Sequence, residues 1–173
     1  IWMSQMIQSS NNILVWANKN VKVKYLYASS GAVYKDKDKS ETVKLDLKFN
    51  DLVNTYANTK LLCEELCKAN SETNGLDYVI TRIFSVAGWH IPTTNHFAFG
   101  NFLNSLLNKK NIVLKSDGKS LRSFIDQRDF ASTIKKLLLN NVNEKIYNIG
   151  SDEKISISEL ANKFSKFGGL DVT

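Results

Sequence analysis

Two runs of β-branched and aromatic residues, Val21 to Ala28 (VKVKYLYA) and Asp77 to Ser85 (DYVITRIFS), flank a long stretch with helical periodicity. That alternation constrains the fold more than any other feature of the chain. Runs of this composition pack as strands. Between them, Asn54 to Asn70 carries Leu61, Leu62, Leu66 and Ala69 on one apolar stripe. The same rhythm continues on either side. Ser4 to Lys19 is predicted as a helix, Lys35 to Lys44 as a charged loop and Trp89 to Asn95 as a loop around the single proline, Pro92. Ala98 to Leu107 is predicted as a helix, Ile112 to Lys115 as a short strand, Asp129 to Leu139 as a helix and Lys145 to Ile149 as a strand. Asp117-Gly118 supplies a turn. Ser156 with Glu159 three residues on forms the pattern of a capping box before a last helix. Strands alternating with helices predict an α/β fold with a mainly parallel sheet. In such sheets ligands gather beyond the carboxyl ends of the strands. The informative turns are therefore Ser29 to Tyr34, Ser85 to Trp89 and Gly150 to Asp152.

Composition narrows the function. A chain of 173 residues, 43% hydrophobic, is long enough to bury a core. No apolar run reaches the roughly 18 residues of a membrane span, so no membrane is expected as partner. Ile1 to Ser10 lacks a basic leader and a cleavage site, opens inside a helical pattern, and reads neither as a signal peptide nor as a natural N-terminus. Cys63 and Cys67, four apart on a helix, predict two reduced thiols and a cytoplasmic setting. No further ligands cluster with them, so no metal is expected. The formal charge of +6 comes from scattered lysines without an arginine stripe or aromatic platform. That argues for a solvated surface and against nucleic acid.

Tyr56-Ala-Asn-Thr-Lys60 carries the strongest chemical signal. Residues four apart share a helix face. An ammonium beside a phenol favours the phenolate, so the Tyr56 pKa is expected to fall below the ordinary tyrosine value. Such a tyrosine can exchange a proton with a sugar hydroxyl or ketone. Alone, the pattern more often describes a surface tyrosine beside a solvated lysine. Ser30, in the turn after the first strand, adds a hydroxyl suited to the same substrate oxygen.

Five blocks then resemble the extended short-chain dehydrogenase/reductase family, the NAD-dependent epimerase/dehydratase group containing UDP-galactose 4-epimerase. Tyr25 to Tyr34 (YLYASSGAVY) resembles its strand and turn, and Thr55 to Lys60 its catalytic helix. Thr81 to Gly88 (TRIFSVAG) resembles the next strand and substrate loop. Leu121 to Asp129 (LRSFIDQRD) resembles the segment that carries a phosphate-gripping arginine, and Ile146 to Gly150 with Ile155 to Leu160 a later strand and helix. The resemblance implies a partial Rossmann-like sheet. Residues 1–88 would be the C-terminal half of the NAD(P)-binding domain with the catalytic helix. Residues 89–173 would be mainly substrate-binding, with segments returning to the sheet. It implies Tyr56 as general acid/base, Lys60 on the nicotinamide ribose and Ser30 orienting the reacting hydroxyl. Contacts to NAD or NADP would come from Ala28, Ser29, Tyr56, Lys60 and Ile83. Contacts to a nucleotide-diphosphate sugar would come from Ser30, Gly31, Ala32, Ser85, Asn101 and Arg122. Arg122 would hold a phosphate, a task suited to a guanidinium fork, unless it is only an exposed arginine on a strand edge. Asp129 is expected to pin a helix start, Arg82 to be structural, and Asn148 and Gly150 to shape the site edge. Related enzymes often dimerise through the Tyr-Lys helix, which implies a homodimer using Leu61, Leu62, Cys63 and Leu66, unless these residues only fill the core.

The departures from the family pattern are as informative. None of the eight glycines forms the phosphate-cradling G-x-x-G-x-x-G turn, so the chain is expected to be a fragment of a longer enzyme. Ser85 replaces a common asparagine, Trp89 follows Gly88 where proline is common, and Lys35 follows Tyr34 where glycine is common. The related 4,6-dehydratases carry an Asp-Glu pair after the turn hydroxyl, whereas this chain has Gly31 and Ala32. Epimerisation or reduction of a 4-keto sugar is therefore expected over dehydration. The competing readings are a 4,6-dehydratase, a non-catalytic protein that binds a nucleotide sugar, and a remnant without activity. His90 and His96 are expected in loop and packing roles.

Overall fold

The computed structural model describes residues 2–20, 23–34, 52–89, 91–93 and 97–173. The predicted charged loop, Val21, Lys22, His90 and His96 lie outside the described residues. The elements in chain order are helix α1 (Trp2–Asn18), strand β1 (Lys24–Ser30), a 3₁₀ turn (Gly31–Tyr34), helix α2 (Leu52–Asn74), β2 (Asp77–Ile83) and β3 (Ser85–Ala87). There follow α3 (Ala98–Leu107), β4 (Leu121–Arg122), β5 (Phe124–Asp126), α4 (Gln127–Leu139), β6 (Ile146–Ile149), β7 (Ile155–Ser156) and α5 (Ile157–Gly168). The chain forms two compact units, residues 1–84 with 131–149 and residues 85–130 with 150–173.

The first unit is built on a parallel sheet in the order β1-β2-β6, as the alternating pattern predicts. A strand in the middle of a parallel sheet is covered on both faces and therefore reads as a continuous apolar run. β2 fits that rule: residues 78 to 82 are all buried. On one face, Tyr27, Tyr78 and Ile80 pack with Leu14 and Ala17 of α1 and Cys63 and Cys67 of α2. Both cysteines are free and buried, as expected of reduced core thiols. A second cluster joins Val33 and Tyr34 of the turn to Leu61 of α2, with Phe84 against it. Register places Ser30 level with Ile83, and Ile83 level with Ile149, at the carboxyl ends of the three strands.

Several boundaries differ from expectation: the strand expected over Asp77 to Ser85 ends at Ile83, because Ser85 pairs with Phe124 and opens β3 in a second sheet. β1 continues through Ser29 and Ser30 instead of ending at Ala28, because both residues pair in register with Arg82 and Ile83. α2 runs one turn beyond Asn70. Ser71 to Asn74 offer no apolar stripe, yet nothing stops helix propagation until Gly75 adopts φ +70° and its N–H bonds the Ser71 carbonyl. A left-handed residue of this kind is a common helix stop.

The second unit packs α3 and α5 around Phe102, Ile112, Leu160 and Ala161. Phe99 and Phe102 meet the Phe164 ring edge-on at 5.3 and 6.0 Å. The strand expected at Ile112 to Lys115 is a single parallel bridge, Ile112 to Val172, because its partner is the short segment at Asp171 to Thr173. β3 pairs with β5 in parallel, and β4 with β7 antiparallel. The capping box at α5 forms as predicted. The Ser156 hydroxyl accepts from the Glu159 N–H, and the Glu159 carboxylate accepts from the Ser156 N–H.

Candidate active site

The candidate residues of the first unit converge on the end of β1 and the face of α2. The pleat sends alternate side chains of β1 to opposite faces. Tyr27 and Ser29 point into the core and are buried, while Ala28 is exposed and Ser30 half-buried. Lys60 reaches back from α2 and donates to the Ala28 carbonyl at 2.8 Å. Its ammonium lies 5.8 Å from the Tyr56 ring centroid and 5.2 Å from that of Tyr27. Both distances lie within cation–π range. Burial lowers the Lys60 pKa from the ordinary lysine value, against the opposing pull of Cys63 and Glu64. Burial also pushes the Tyr27 phenol far above the usual tyrosine range, with Cys63 adding to the effect. The Tyr27 hydroxyl is buried without a hydrogen-bond partner among the described residues. An open cleft of about 370 Å³ borders this region, lined by Gln5, Met6, Ser9, Ser10, Tyr27 and Lys60.

The turn after β1 is shaped by Gly31. A side chain there would come within 2.6 to 2.9 Å of the Phe84 ring, which stacks on Tyr34 with centroids 6.3 Å apart. Ser30 Oγ accepts from the Ala32 N–H at 3.2 Å, a local bond that fixes the start of the 3₁₀ turn. Ser29 is engaged elsewhere: its hydroxyl donates to Glu64. Glu64 also takes a two-pronged bond from Arg82, at 3.1 Å from Nε and 2.7 Å from Nη2. Arg82 Nη1 donates to the Tyr34 hydroxyl, which donates to Asn148. Burial works against the Arg82 charge, but the bonds to Glu64 and Tyr34 outweigh it and raise the Arg82 pKa. Arg82 is thus structural, as expected. Sequence reasoning missed Glu64 and Tyr27. Glu64 had a signal, since it stands one helical turn after Lys60 on the same face. Tyr27 looked like any strand aromatic.

The remaining candidates belong to the second unit. Ser85 opens β3 level with Phe124 and is half-buried. Asn101 is half-buried in the first turns of α3. Arg122 is exposed, and its guanidinium bonds Ser120 Oγ at 2.6 Å and the Leu121 carbonyl at 2.8 Å. Asp129 lies in the first turn of α4, but the carboxylate that accepts the Arg128 N–H there is Asp126. No group of three metal-ligating side chains occurs among the described residues, and none of the described helices is long and apolar enough to cross a membrane.

The first unit offers an ammonium, a phenol and a hydroxyl around the strand ends, groups that fit the ribose end of a dinucleotide.

Among solved structures, UDP-glucuronic acid 4-epimerase from Bacillus cereus, in complex with UDP-glucuronic acid and NAD, superposes with a TM-score of 0.81 at 22% identity. That match covers 97% of this chain and 53% of the other. UDP-N-acetylglucosamine 4-epimerase from Methanobrevibacter ruminantium gives 0.80 at 23% identity, over 96% and 55%. At these identities the likeness shows a shared fold. In sequence, GDP-mannose 3,5-epimerase of Arabidopsis thaliana is 25% identical over 93% of this chain and 48% of its own length. UDP-glucose 4-epimerase of Lactobacillus helveticus is 24% identical over 92% and 53%. The chain spans about half the length of both relatives. The model of the NAD dependent epimerase/dehydratase family matches residues 2–150, most of the chain, and the chain belongs to that family.

Proposed function

We propose that this chain carries the proton-transfer and sugar-facing part of an NAD(P)-dependent nucleotide-sugar epimerase or 4-keto-sugar reductase. The observation that carries the reading is Lys60, held at 2.8 Å on the Ala28 carbonyl with its ammonium 5.8 Å from the Tyr56 ring. In this reading Tyr56 moves a proton to or from the sugar oxygen, and Ser30 orients that oxygen. Lys60 binds the nicotinamide ribose and holds positive charge beside the phenol. The nicotinamide supplies hydride chemistry when bound. Asn101 and Ser85 would line the sugar nucleotide, and Arg122 would hold its diphosphate. The Arg122 fork is on the surface, where a phosphate can replace Ser120 and the Leu121 carbonyl as its partner. The lack of carboxylates at Gly31 and Ala32 favours epimerisation or reduction over dehydration. The Phe84 ring against Gly31 leaves little room for an acid there. A homodimer through α2 belongs to the same reading. Leu61 and Cys63 are consumed by the core and Leu66 packs against it, which leaves the half-buried Leu62 for such a face.

A second reading is a nucleotide-sugar-binding protein without turnover, favoured by the exposed Arg122 guanidinium, which suits a diphosphate with or without hydride transfer. One experiment separates the two. Binding of NAD and of UDP-glucose is measured by calorimetry, and epimerisation of UDP-sugars is followed for wild type and Tyr56→Phe. On the catalytic reading, Tyr56→Phe lowers turnover by about 100-fold or more while sugar-nucleotide affinity stays within a few-fold. Normal turnover in Tyr56→Phe removes Tyr56 from the mechanism. Sugar-nucleotide binding by the full-length protein without NAD binding or turnover establishes the second reading.

A further inference from the structure

Five groups that the proposed mechanism does not use, Ser29, Tyr34, Glu64, Arg82 and Asn148, converge inside the first unit. Glu64 and Arg82 form an ion pair with side-chain exposures of only 5% and 9%. Glu64 Oε1 takes Ser29 Oγ at 2.5 Å and Arg82 Nε at 3.1 Å, while Oε2 takes Arg82 Nη2 at 2.7 Å. The third prong of the guanidinium, Nη1, reaches the Tyr34 hydroxyl at 3.0 Å, and the guanidinium carbon stands 4.9 Å from the Tyr34 ring centroid. The Tyr34 hydroxyl in turn donates a hydrogen bond to Asn148 Oδ1 at 2.8 Å. Every polar role of the Tyr34 hydroxyl is thereby used.

The placement of these bonds matters more than their number. Ser29 is the residue before Ser30, and Tyr34 is the last residue of the turn that follows it. The two ends of the Ser29–Tyr34 segment are therefore tied to the two members of one ion pair. Glu64 lies one helical turn after Lys60, so the same helix face presents Lys60 and the anchor of the turn. A buried ion pair is a poor way to gain stability alone, because desolvation offsets the attraction and apolar residues of similar volume serve as well or better. What a two-pronged carboxylate–guanidinium bond adds is direction. Catalysis by a positioned hydroxyl depends on such direction, since displacement by about 1 Å costs orders of magnitude in rate.

We propose that Glu64 and Arg82 are positioning residues: their buried pair ties both ends of the Ser29–Tyr34 turn to the Lys60 face of α2 and so sets the Ser30 hydroxyl. This rests on the catalytic reading above for its purpose, though the tie itself does not. The test uses Glu64→Gln, which keeps the shape and removes the charge, and the double change Glu64→Leu with Arg82→Met, which replaces the pair by apolar volume and keeps the fold. Amide hydrogen exchange is followed at residues 31–34 and, as control, at Val79 and Ile80. The expected result is exchange about tenfold faster or more in the turn, with the control amides unchanged. In the UDP-sugar assay the same variants lose roughly 10- to 100-fold in kcat with KM within about threefold. Wild-type exchange in the turn of a folded variant overturns the proposal, and so does a loosened turn with wild-type kcat. Absence of turnover in the wild-type chain strikes only the catalytic reading, and the exchange result then decides the pair by itself.

Discussion

Lys60 carries an electrostatic cost that its position explains. Burial lowers its pKa, so the folded chain holds its ammonium less tightly than the unfolded chain does. Between the two pKa values the unfolded state binds more protons, and stability contributed by this group rises with pH. The penalty is fully present below the folded pKa and is relieved as pH climbs toward the unfolded lysine value of about 10.4. Lys60→Met has no such term. Denaturant titrations from pH 7 to pH 10.5 are therefore expected to show wild type gaining on Lys60→Met as pH rises; a constant or opposite difference would contradict the burial. The Tyr-Lys spacing was legible in the sequence because one helical turn brings residues four apart together. The Ala28 carbonyl that anchors the ammonium was not, since it is a backbone group from a strand 32 residues earlier.

At the scale of elements, local chemistry and tertiary pairing divide the work differently. The α5 start is local: Ser156 and Glu159 satisfy each other's N–H groups and needed no distant partner. Ser156→Ala is expected to cost about 1 kcal/mol, measured by urea unfolding, without loss of the Phe102 and Leu160 core. Glu159 is held below the ordinary carboxylate pKa, first by the Ser156 N–H and then by its hydroxyl. That contribution is present above the unfolded carboxylate pKa and is lost as pH falls through the lower folded one. β1 is the contrary case. Its extension through Ser29 and Ser30 comes from pairing with β2, which no property of a Ser-Ser-Gly sequence announces. The bridge at Ile112 likewise depends on a segment 60 residues away. The hydrophobic pattern could mark Ile112 to Lys115 as extended, but the length of the partner segment decided how much of it pairs.

Across the whole molecule, the thiols report on core opening. Cys63 and Cys67 are fully buried between α2 and the β1–β2 face. Burial, with Cys63 and Glu64 adding to it, pushes the Cys67 thiol up to about 12. The thiolate is the reactive form, so both geometry and charge protect this residue. Iodoacetamide at pH 8 is expected to leave Cys67 unmodified in the native chain and to label it at the rate of unfolding events, as followed by mass spectrometry. Rapid labelling under native conditions would contradict the packing. The fold class was legible at this scale because the alternation of strand and helix patterns admits few architectures. The division into two units was less so. The first closes with residues 131–149, and the chain passes from one unit to the other within α4, where no proline, glycine or change of composition marks a boundary.

The sequence by itself determined the five helices and the three strands of the parallel sheet, though not the short strands β3, β4, β5 and β7, together with the Tyr56–Lys60 register on one helix face, the capping box and the family. All of these rest on spacing along the chain. Only the tertiary structure decided that Ser29 faces Glu64 while Ser30 does not, that Arg82 joins Glu64 to Tyr34, and that Gly31 lies under the Phe84 ring. Those contacts join residues brought together by strand pairing and helix packing, and their partners cannot be counted off along a helix or a strand.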